Sequence, residues 1–375
     1  MEGIDLNEPP TAAFDLAIIG GGPAGTAAAI TAARGGRRVL VIERGRLPRQ
    51  RVCGEFVSPE SLDLLAGLLR DTAPRLFLRA PRIAEARLFL DGHTISAGVD
   101  PPAASIARYD LDGALWHAAE KAGVRALLET GVDRITSEGP FTLFTSAGDF
   151  RAHALIDASG RWSNLRSHGN HLDGKKWLGV KAHYAEENPH PSVDLYFFDG
   201  GYCGVQPVRL AEAPEGDLHV NACAMVRSDV ARTLPEIWER HPDLRTRARG
   251  WQSLMEPVST SPLIFREPEP VRGNILQAGD AAGFVDPFVG DGISLALRSG
   301  ALAANCLLPF FEHEISLSEA ARAYAHAYRR QLLPVFRNST KLRRLLSLPR
   351  PVRQVVVHLL EVTPGASRLL VRMTR

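Results

Sequence analysis

Cysteine is scarce in this chain of 375 residues, and its four copies stand far apart. Cys53, Cys203, Cys223 and Cys306 form no CxxC pair and no zinc-ligand spacing. The pattern argues against a disulfide framework and gives no metal site. We therefore expect free thiols and a reducing compartment.

Long apolar runs and an excess of one charge are also missing. No apolar run approaches the roughly 20 residues that a membrane span needs, and the first residues, MEGIDLNEPPTAAF, lack the apolar core of a secretory signal. The 44 Lys and Arg and 42 Asp and Glu leave a net charge of +2, which argues against nucleic acid as a partner. We predict a cytoplasmic protein.

The stretch FDLAIIGGGPAGTAAAITAARGGRRVLVIER, residues 14–44, has the order strand, glycine loop, helix, turn, strand. The apolar runs Leu16–Ile19 and Val39–Ile42 predict buried parallel strands, and Ala24–Ala33 predicts the helix between them. This order is that of one βαβ unit.

Three glycines give this unit the pattern GxGxxG. Gly20 permits the tight turn, Gly22 lets a pyrophosphate approach, and Gly25 packs the helix on the strand beside Ala24. Glu43 ends the second strand, 23 residues after Gly20, where a carboxylate accepts hydrogen bonds from a ribose. A glycine turn that serves packing alone is the alternative. The terminal acid favours dinucleotide binding and disfavours the 2′-phosphate of NADP.

A second glycine-rich stretch, GDAAGFVDPFVGDGISLAL at residues 279–297, precedes a predicted helix that extends through Ala301–Cys306. A plain loop is the alternative interpretation, because Gly, Asp and Pro also form turns. FAD differs from NAD in its ribitol chain, which needs an acceptor beyond the pyrophosphate, and we assign that role to Asp280. The two stretches together predict FAD.

The end of the second stretch is expected to face the flavin ring. Gly290, Asp291, Gly292 and Ile293 stand at the start of the predicted helix. The amides and the positive dipole of a helix N-terminus stabilise the negative charge that a reduced flavin carries at its N1 and O2 edge.

The chain resembles the FAD-dependent superfamily of p-hydroxybenzoate-hydroxylase-like monooxygenases, geranylgeranyl reductases and flavin-dependent halogenases over most of residues 14–305. The resemblance rests on GGGPAG with Glu43 and Arg44, on residues 279–297, and on three further motifs. These are RVCGEFVSPE at 51–60, IARYDLDGALWHAAEKAGV at 106–124 and LIDASGRWSNLR at 155–166. The sequences CGE and DPFVGDGISLALRSG are closest to the geranylgeranyl-reductase-like branch.

The resemblance implies an α/β fold with a glutathione-reductase-type, Rossmann-like FAD-binding domain, a β-rich substrate domain and C-terminal helices. The implied FAD-binding domain is discontinuous and comprises residues 1–75, 100–170 and 267–310. Residues 76–99 and 171–266 would form the substrate lobe, and 311–375 a basic helical segment.

The family's functional residues can be carried over to matching positions. The resemblance places Arg44 among the cofactor-binding residues, Arg108 at the FAD phosphates and Val132 beside the adenine. Asp157 and Arg166 would support the cofactor and NAD(P)H.

Two titratable residues, Cys53 and Glu55, are the candidate catalytic pair. They would lie at the mouth of the flavin pocket, for proton delivery or substrate orientation. The alternative is a small buried thiol beside a carboxylate that binds backbone amides. The aromatic residues Tyr196–Phe198 and Tyr202 would either line the substrate pocket or belong to the core.

Several reactions fit this cofactor. Our first hypothesis is an NAD(P)H-consuming monooxygenase that acts on a small hydrophobic or aromatic substrate. The second is a reductase of isoprenoid double bonds, like geranylgeranyl reductase. A halogenase-like protein or a non-catalytic FAD-binding protein is the third, although the halogenase motif WxWxIP is absent. No second GxGxxG follows a predicted strand, so electrons would come from transiently bound NAD(P)H or from a separate flavin reductase.

The C-terminal part is strongly basic. Residues 330–375 contain ten Lys or Arg and one acid, Glu361. These residues would either contact an anionic membrane surface or an acidic carrier protein, or form packed helices with solvated arginines.

Overall fold

The computed structural model of the protein describes residues 13–136, 139–161, 176–211, 214, 217–263, 265–346, 350, 351, 353 and 354. Its strands form two sheets. The strands of the first sheet are β1 (Phe14–Ile19), β2 (Val39–Ile42), β6 (Arg125–Leu127), β7 (Val132–Ile135), β8 (Phe141–Thr145), β9 (Gly148–Asp157), β16 (Val271–Arg272) and β17 (Ile275–Gln277).

The centre of the first sheet is parallel, in the order β17-β9-β1-β2-β6. The strands β1 and β2 are almost wholly apolar because both faces of the sheet are covered there, and Leu16 and Ile18 have no exposed surface. Both strands of the predicted βαβ unit are confirmed. Their carboxyl ends lie at one edge of the sheet, the usual place for a ligand in α/β folds.

The second sheet is mainly antiparallel, in the order β14-β10-β13-β12-β11-β4-β5-β3. Its strands are β3 (Phe56–Val57), β4 (Arg82–Leu90), β5 (His93–Ser105), β10 (Trp177–Ala185), β11 (Ser192–Phe198), β12 (Gly201–Val208), β13 (His219–Arg227), β14 (Gln252–Ser253) and β15 (Val258–Thr260). Most of these strands lie in residues 76–99 and 171–266, for which the resemblance implies a β-rich lobe. The proposed domain boundaries stay a prediction.

Helices cover the first sheet and the far side of the second. They are α1 (Pro23–Arg34), α2 (Leu62–Leu69), α3 (Pro74–Arg79), α4 (Arg108–Lys121), α5 (Leu234–Trp238), α6 (Pro242–Ala248), α7 (Gly292–Phe311), α8 (Leu317–Gln331) and α9 (Leu333–Leu346). Among the described residues, α7 is the one helix long and apolar enough to cross a membrane by composition. It packs on α1 and carries ten buried residues, as a core helix does.

Glycine permits the close packing of α1 and α7. A Cβ atom on Gly300 would collide with the carbonyl oxygen of Ala24. The sequence of α1, PAGTAAAITAAR, supplies small side chains to the same contact. This close approach fixes the start of α7 next to the glycine loop that precedes α1.

We expect Gly300→Ala to lower the free energy of unfolding by about 1–3 kcal/mol, because the helices must separate to admit the methyl group. Gly67→Ala is the matched control, since a Cβ there meets no atom within 4 Å and alanine favours a helix. Urea denaturation measures the free energy of unfolding of both variants. Equal stability of the two would show that the contact is not tight.

Candidate functional site

A cavity of about 540 Å³ lies between the carboxyl edge of the first sheet and the inner face of the second. Most of the residues predicted from the sequence as cofactor-binding or catalytic line it. They are Gly20, Gly22, Ala24, Glu43, Arg44, Cys53, Glu55, Arg108, Val132, Asp280, Gly290, Gly292 and Ile293. Residues more than 200 positions apart in the chain therefore meet at one site.

The glycine loop leaves space where a ligand must approach the backbone. Gly20 has a φ of +108°, which favours glycine, and Cβ atoms on Gly22 or Gly292 would meet no atom within 4 Å. Gly25 does not line the cavity, because it packs against the carbonyl of Gly20. The N-termini of α1 and α7 thus both open onto the cavity, with bare backbone at each.

The carboxylate of Glu43 is fixed by three hydrogen bonds. Its Oε2 accepts the Gly21 N–H at 2.9 Å, and its Oε1 accepts the Gly45 N–H and Arg49 Nη2, each at 3.0 Å. Oε2 keeps a lone pair for a further donor. This geometry suits a carboxylate that orders the glycine loop and also accepts a ribose hydroxyl.

Four arginines surround the same end of the cavity. Arg44, Arg49, Arg51 and Arg108 line it, and of these Arg108 forms a two-point ion pair with Asp112. The Nε atoms of Arg49 and Arg51 are buried without a hydrogen-bond partner among the described residues. Burial and the neighbouring Arg49 and Arg108 charges lower the pKa of Arg51 to about 10.

Arg49 is paired with Glu43 and Arg108 with Asp112, so the buried Nε atoms of Arg49 and Arg51 are the donors left for an anion. A pyrophosphate would supply the missing acceptors, so the residues fit the cofactor that the two glycine stretches predict. The sequence analysis overlooked Arg49 and Arg51, although their position directly before the CGE motif could have drawn attention to them.

The second glycine-rich stretch contributes the opposite wall. Asp280 lines the cavity, and its Oδ2 lies 3.4 Å from Arg161 Nε. Burial raises the pKa of Asp280, against the opposing effect of the Arg161 and Arg108 charges. Its role as the ribitol acceptor stays a prediction.

Two predicted residues have other contacts. Asp157 does not line the cavity and instead accepts the Ser159 N–H at 3.0 Å, so it orders the loop after β9. Asp291 is buried at the N-cap of α7 and also lies off the cavity. Arg166 lies outside the described residues.

Glu55 is the centre of a buried ionic cluster. Lys181 Nζ lies 2.7 Å from its Oε1, and His183 Nε2 lies 2.8 Å from its Oε2. The backbone N–H of Arg108 also donates to Oε1, at 2.8 Å. Glu55 and Lys181 have no exposed surface, and His183 is 1% exposed.

This cluster keeps the carboxyl of Glu55 ionised. Burial opposes the charge, but Lys181 and the hydrogen bond from His183 outweigh it and hold the pKa of Glu55 below its ordinary value. Glu55 has a φ of +62°, in the left-handed region, and the surrounding contacts hold it there. The CGE motif gives no sign of Lys181 or His183, because neither residue adjoins it in sequence.

The same contacts position Cys53. Asn221 Nδ2 donates to the Cys53 carbonyl at 3.0 Å, and Sγ accepts the Glu55 N–H at 3.3 Å. Burial raises the pKa of the Cys53 thiol, which the adjacent Arg108 guanidinium opposes. Cys53 is thus a protonated thiol at the cavity wall, beside a cation that stabilises its thiolate.

Of the four aromatic residues considered for the substrate pocket, only Tyr202 lines the cavity. Tyr196 stacks on Phe89 at 4.5 Å in a separate core cluster. Phe197 packs against Phe288. The alternation of side chains along a strand sends successive aromatics to opposite faces, which explains why the group divides.

Comparison with known proteins agrees with this site. A family model described as FAD dependent oxidoreductase matches residues 15–161. A menaquinone reductase of Mycobacterium tuberculosis is 29% identical over 320 residues, covering 78% of this chain and 76% of the relative. A digeranylgeranylglycerophospholipid reductase of Methanopyrus kandleri is 25% identical, covering 89% and 87%.

A solved structure shows the same fold. A geranylgeranyl bacteriochlorophyll reductase-like protein of Thermoplasma acidophilum superposes with a TM-score of 0.74 at 20% identity, covering 96% of this chain and 95% of that one. The matches show that the chain is similar to FAD-dependent oxidoreductases, among them a digeranylgeranylglycerophospholipid reductase, and that it shares their fold.

We expect Lys181→Met to lower the free energy of unfolding by about 3–5 kcal/mol, because the charge of Glu55 would stay buried without its cation. The double variant Glu55→Gln/Lys181→Met should recover part of that loss. Arg245→Met is the control, since its pair with Glu239 is exposed and contributes about 1 kcal/mol or less. Urea denaturation measures the free energy of unfolding of each variant. A Lys181→Met variant that loses no more stability than the Arg245→Met control would contradict the prediction.

We expect Arg51→Gln to weaken FAD binding by about 10- to 100-fold, because a charged donor to the pyrophosphate is lost. Arg46→Gln is the matched control, since Arg46 is exposed and pairs with Glu129 away from the cavity. Calorimetric titration of the apoprotein with FAD gives both affinities. An equal affinity in the two variants would place the pyrophosphate elsewhere.

Proposed function

We propose that this protein is an FAD-dependent reductase that saturates a carbon–carbon double bond in a prenyl chain. The observation that carries the proposal is the position of Cys53, which lines the cavity together with Arg108. The menaquinone and digeranylgeranylglycerophospholipid reductases among the relatives support the same reaction class.

The substrate half of the cavity is largely apolar. Its walls include Val258 and Leu263 from the second sheet side and Phe284 and Val285 from the second glycine stretch, with Met225 on β13. These side chains bind a hydrocarbon by burial and exclude water from the reacting carbons. Such binding needs no charged group on the prenyl chain.

The residues divide the reaction between them. When bound, FAD supplies hydride transfer from its reduced ring. The Cys53 thiol donates the proton to the other carbon of the double bond, and Arg108 stabilises the thiolate that results. Lys181 and His183 keep Glu55 and its loop in place, so that the thiol stays at the cavity wall. Hydride and proton together account for the two hydrogens added.

Monooxygenation is the second candidate. It fits the same cofactor, because reduced FAD also reacts with O₂. The two candidates require the same electrons, drawn from NAD(P)H or from a separate flavin reductase. They differ in whether an alkene or O₂ reoxidises the flavin.

Anaerobic mixing of the dithionite-reduced holoprotein with geranylgeraniol separates the two. We expect reoxidation of the flavin and a product with two added hydrogens by mass spectrometry. Cys53→Ser should slow this step by about 100-fold or more, as expected for loss of a positioned acid, while Cys306→Ser, a change in α7, should not. Reoxidation only after O₂ is admitted, with an oxygenated product, would contradict the reductase.

A further inference from the structure

The basic residues of the C-terminal part fall into two groups. One group is used inside the molecule. Arg353 makes a two-point ion pair with Asp91, at 2.6 and 2.8 Å, and reaches Asp199 at 3.4 Å. Arg350 also lies 3.4 Å from Asp91. These arginines attach the C-terminal part to the turns of the second sheet.

The other group points outward. Two members are adjacent near the end of α8 and two lie one turn apart on α9, all four are exposed, and no ion pair joins them to any described residue. They are Arg329, Arg330, Arg337 and Lys341. The opposite side of α8 carries the buried Tyr324 and Tyr328, so the helix turns its apolar side inward and its cations outward. We call these four residues the basic face.

The basic face has little acid to neutralise it. Glu319 is the only acidic residue in α8 and α9. It is committed to the capping box at the start of α8, where it accepts the Ser316 N–H at 2.8 Å. The far end of α8 and the sequence of α9 therefore contain basic residues and no acidic one.

The helix that carries half of the basic face also contacts the rim of the cavity. Arg343 of α9 lies 3.8 Å from Asp286 and 4.6 Å above the ring of Phe265. Phe265 in turn stacks on Phe284, which lines the cavity. A surface bound by α9 would accordingly lie close to the substrate half of the cavity.

We propose that the basic face docks the protein on the surface of an anionic lipid bilayer. A protein partner needs an apolar core in its interface, and the exposed large hydrophobic residues among the described ones, Leu78, Tyr109 and Leu254, lie on other elements. A bilayer with anionic headgroups needs only the unneutralised cations. The benefit of docking, access to a membrane-embedded prenyl chain, rests on the proposed function. The docking itself does not.

Sedimentation of the full-length holoprotein with vesicles tests the proposal. We expect binding to vesicles that contain phosphatidylglycerol, none to phosphatidylcholine alone, and release as salt screens the charges. Arg329→Gln/Arg330→Gln/Arg337→Gln should lower the partition coefficient by about a hundredfold. The vesicles hold no prenyl substrate, so the result is independent of the reductase activity.

The control is Arg75→Gln/Lys121→Gln/Arg249→Gln, which removes the same charge from exposed positions on α3, α4 and the end of α6. It should bind within about twofold of the unaltered protein, since these sites lie off the basic face. FAD content and circular dichroism confirm folding of both variants. Failure of the unaltered protein to bind, equal binding to neutral vesicles, or an equal loss in both variants would overturn the proposal.

Discussion

The buried ion pair between Glu55 and Lys181 is the interaction on which the site depends. Glu55 belongs to the loop after the first βαβ unit, and Lys181 belongs to β10 of the second sheet. The pair therefore joins the two halves of the molecule directly at the cavity. His183 and the Arg108 N–H form the remaining hydrogen bonds to the carboxylate. These contacts hold the Glu55 side chain in place and offset the cost of burying its charge.

Charge is distributed along the cavity in a way that suits FAD and an apolar substrate. The arginines lie at the end with the glycine loop, and the start of α7 lies where the flavin's electron-rich edge is expected. Apolar side chains such as Leu263 and Phe284 line the same cavity, as does Cys53. The cavity therefore has both charged and apolar walls.

The basic residues of the C-terminal part have two different roles. Arg350 and Arg353 form ion pairs with an acidic turn of the second sheet, whereas Arg329 and Arg337 stay exposed. The count of ten basic residues in the last 46 positions does not distinguish the ion-paired residues from the exposed ones. The position of each residue on its helix, and the presence of an acid opposite, decides which role it has.

The sequence by itself determined the βαβ unit, and it predicted the FAD cofactor. Local patterns suffice for these, because the glycines at 20, 22 and 25 and the acid at 43 act within one supersecondary unit. Only the tertiary structure decided the partners of Glu55, the buried Arg51 and the division of the aromatics. Lys181 and His183 lie more than 120 positions from Glu55. Side chains so distant are brought together by the packing of one sheet on another, which no local pattern records.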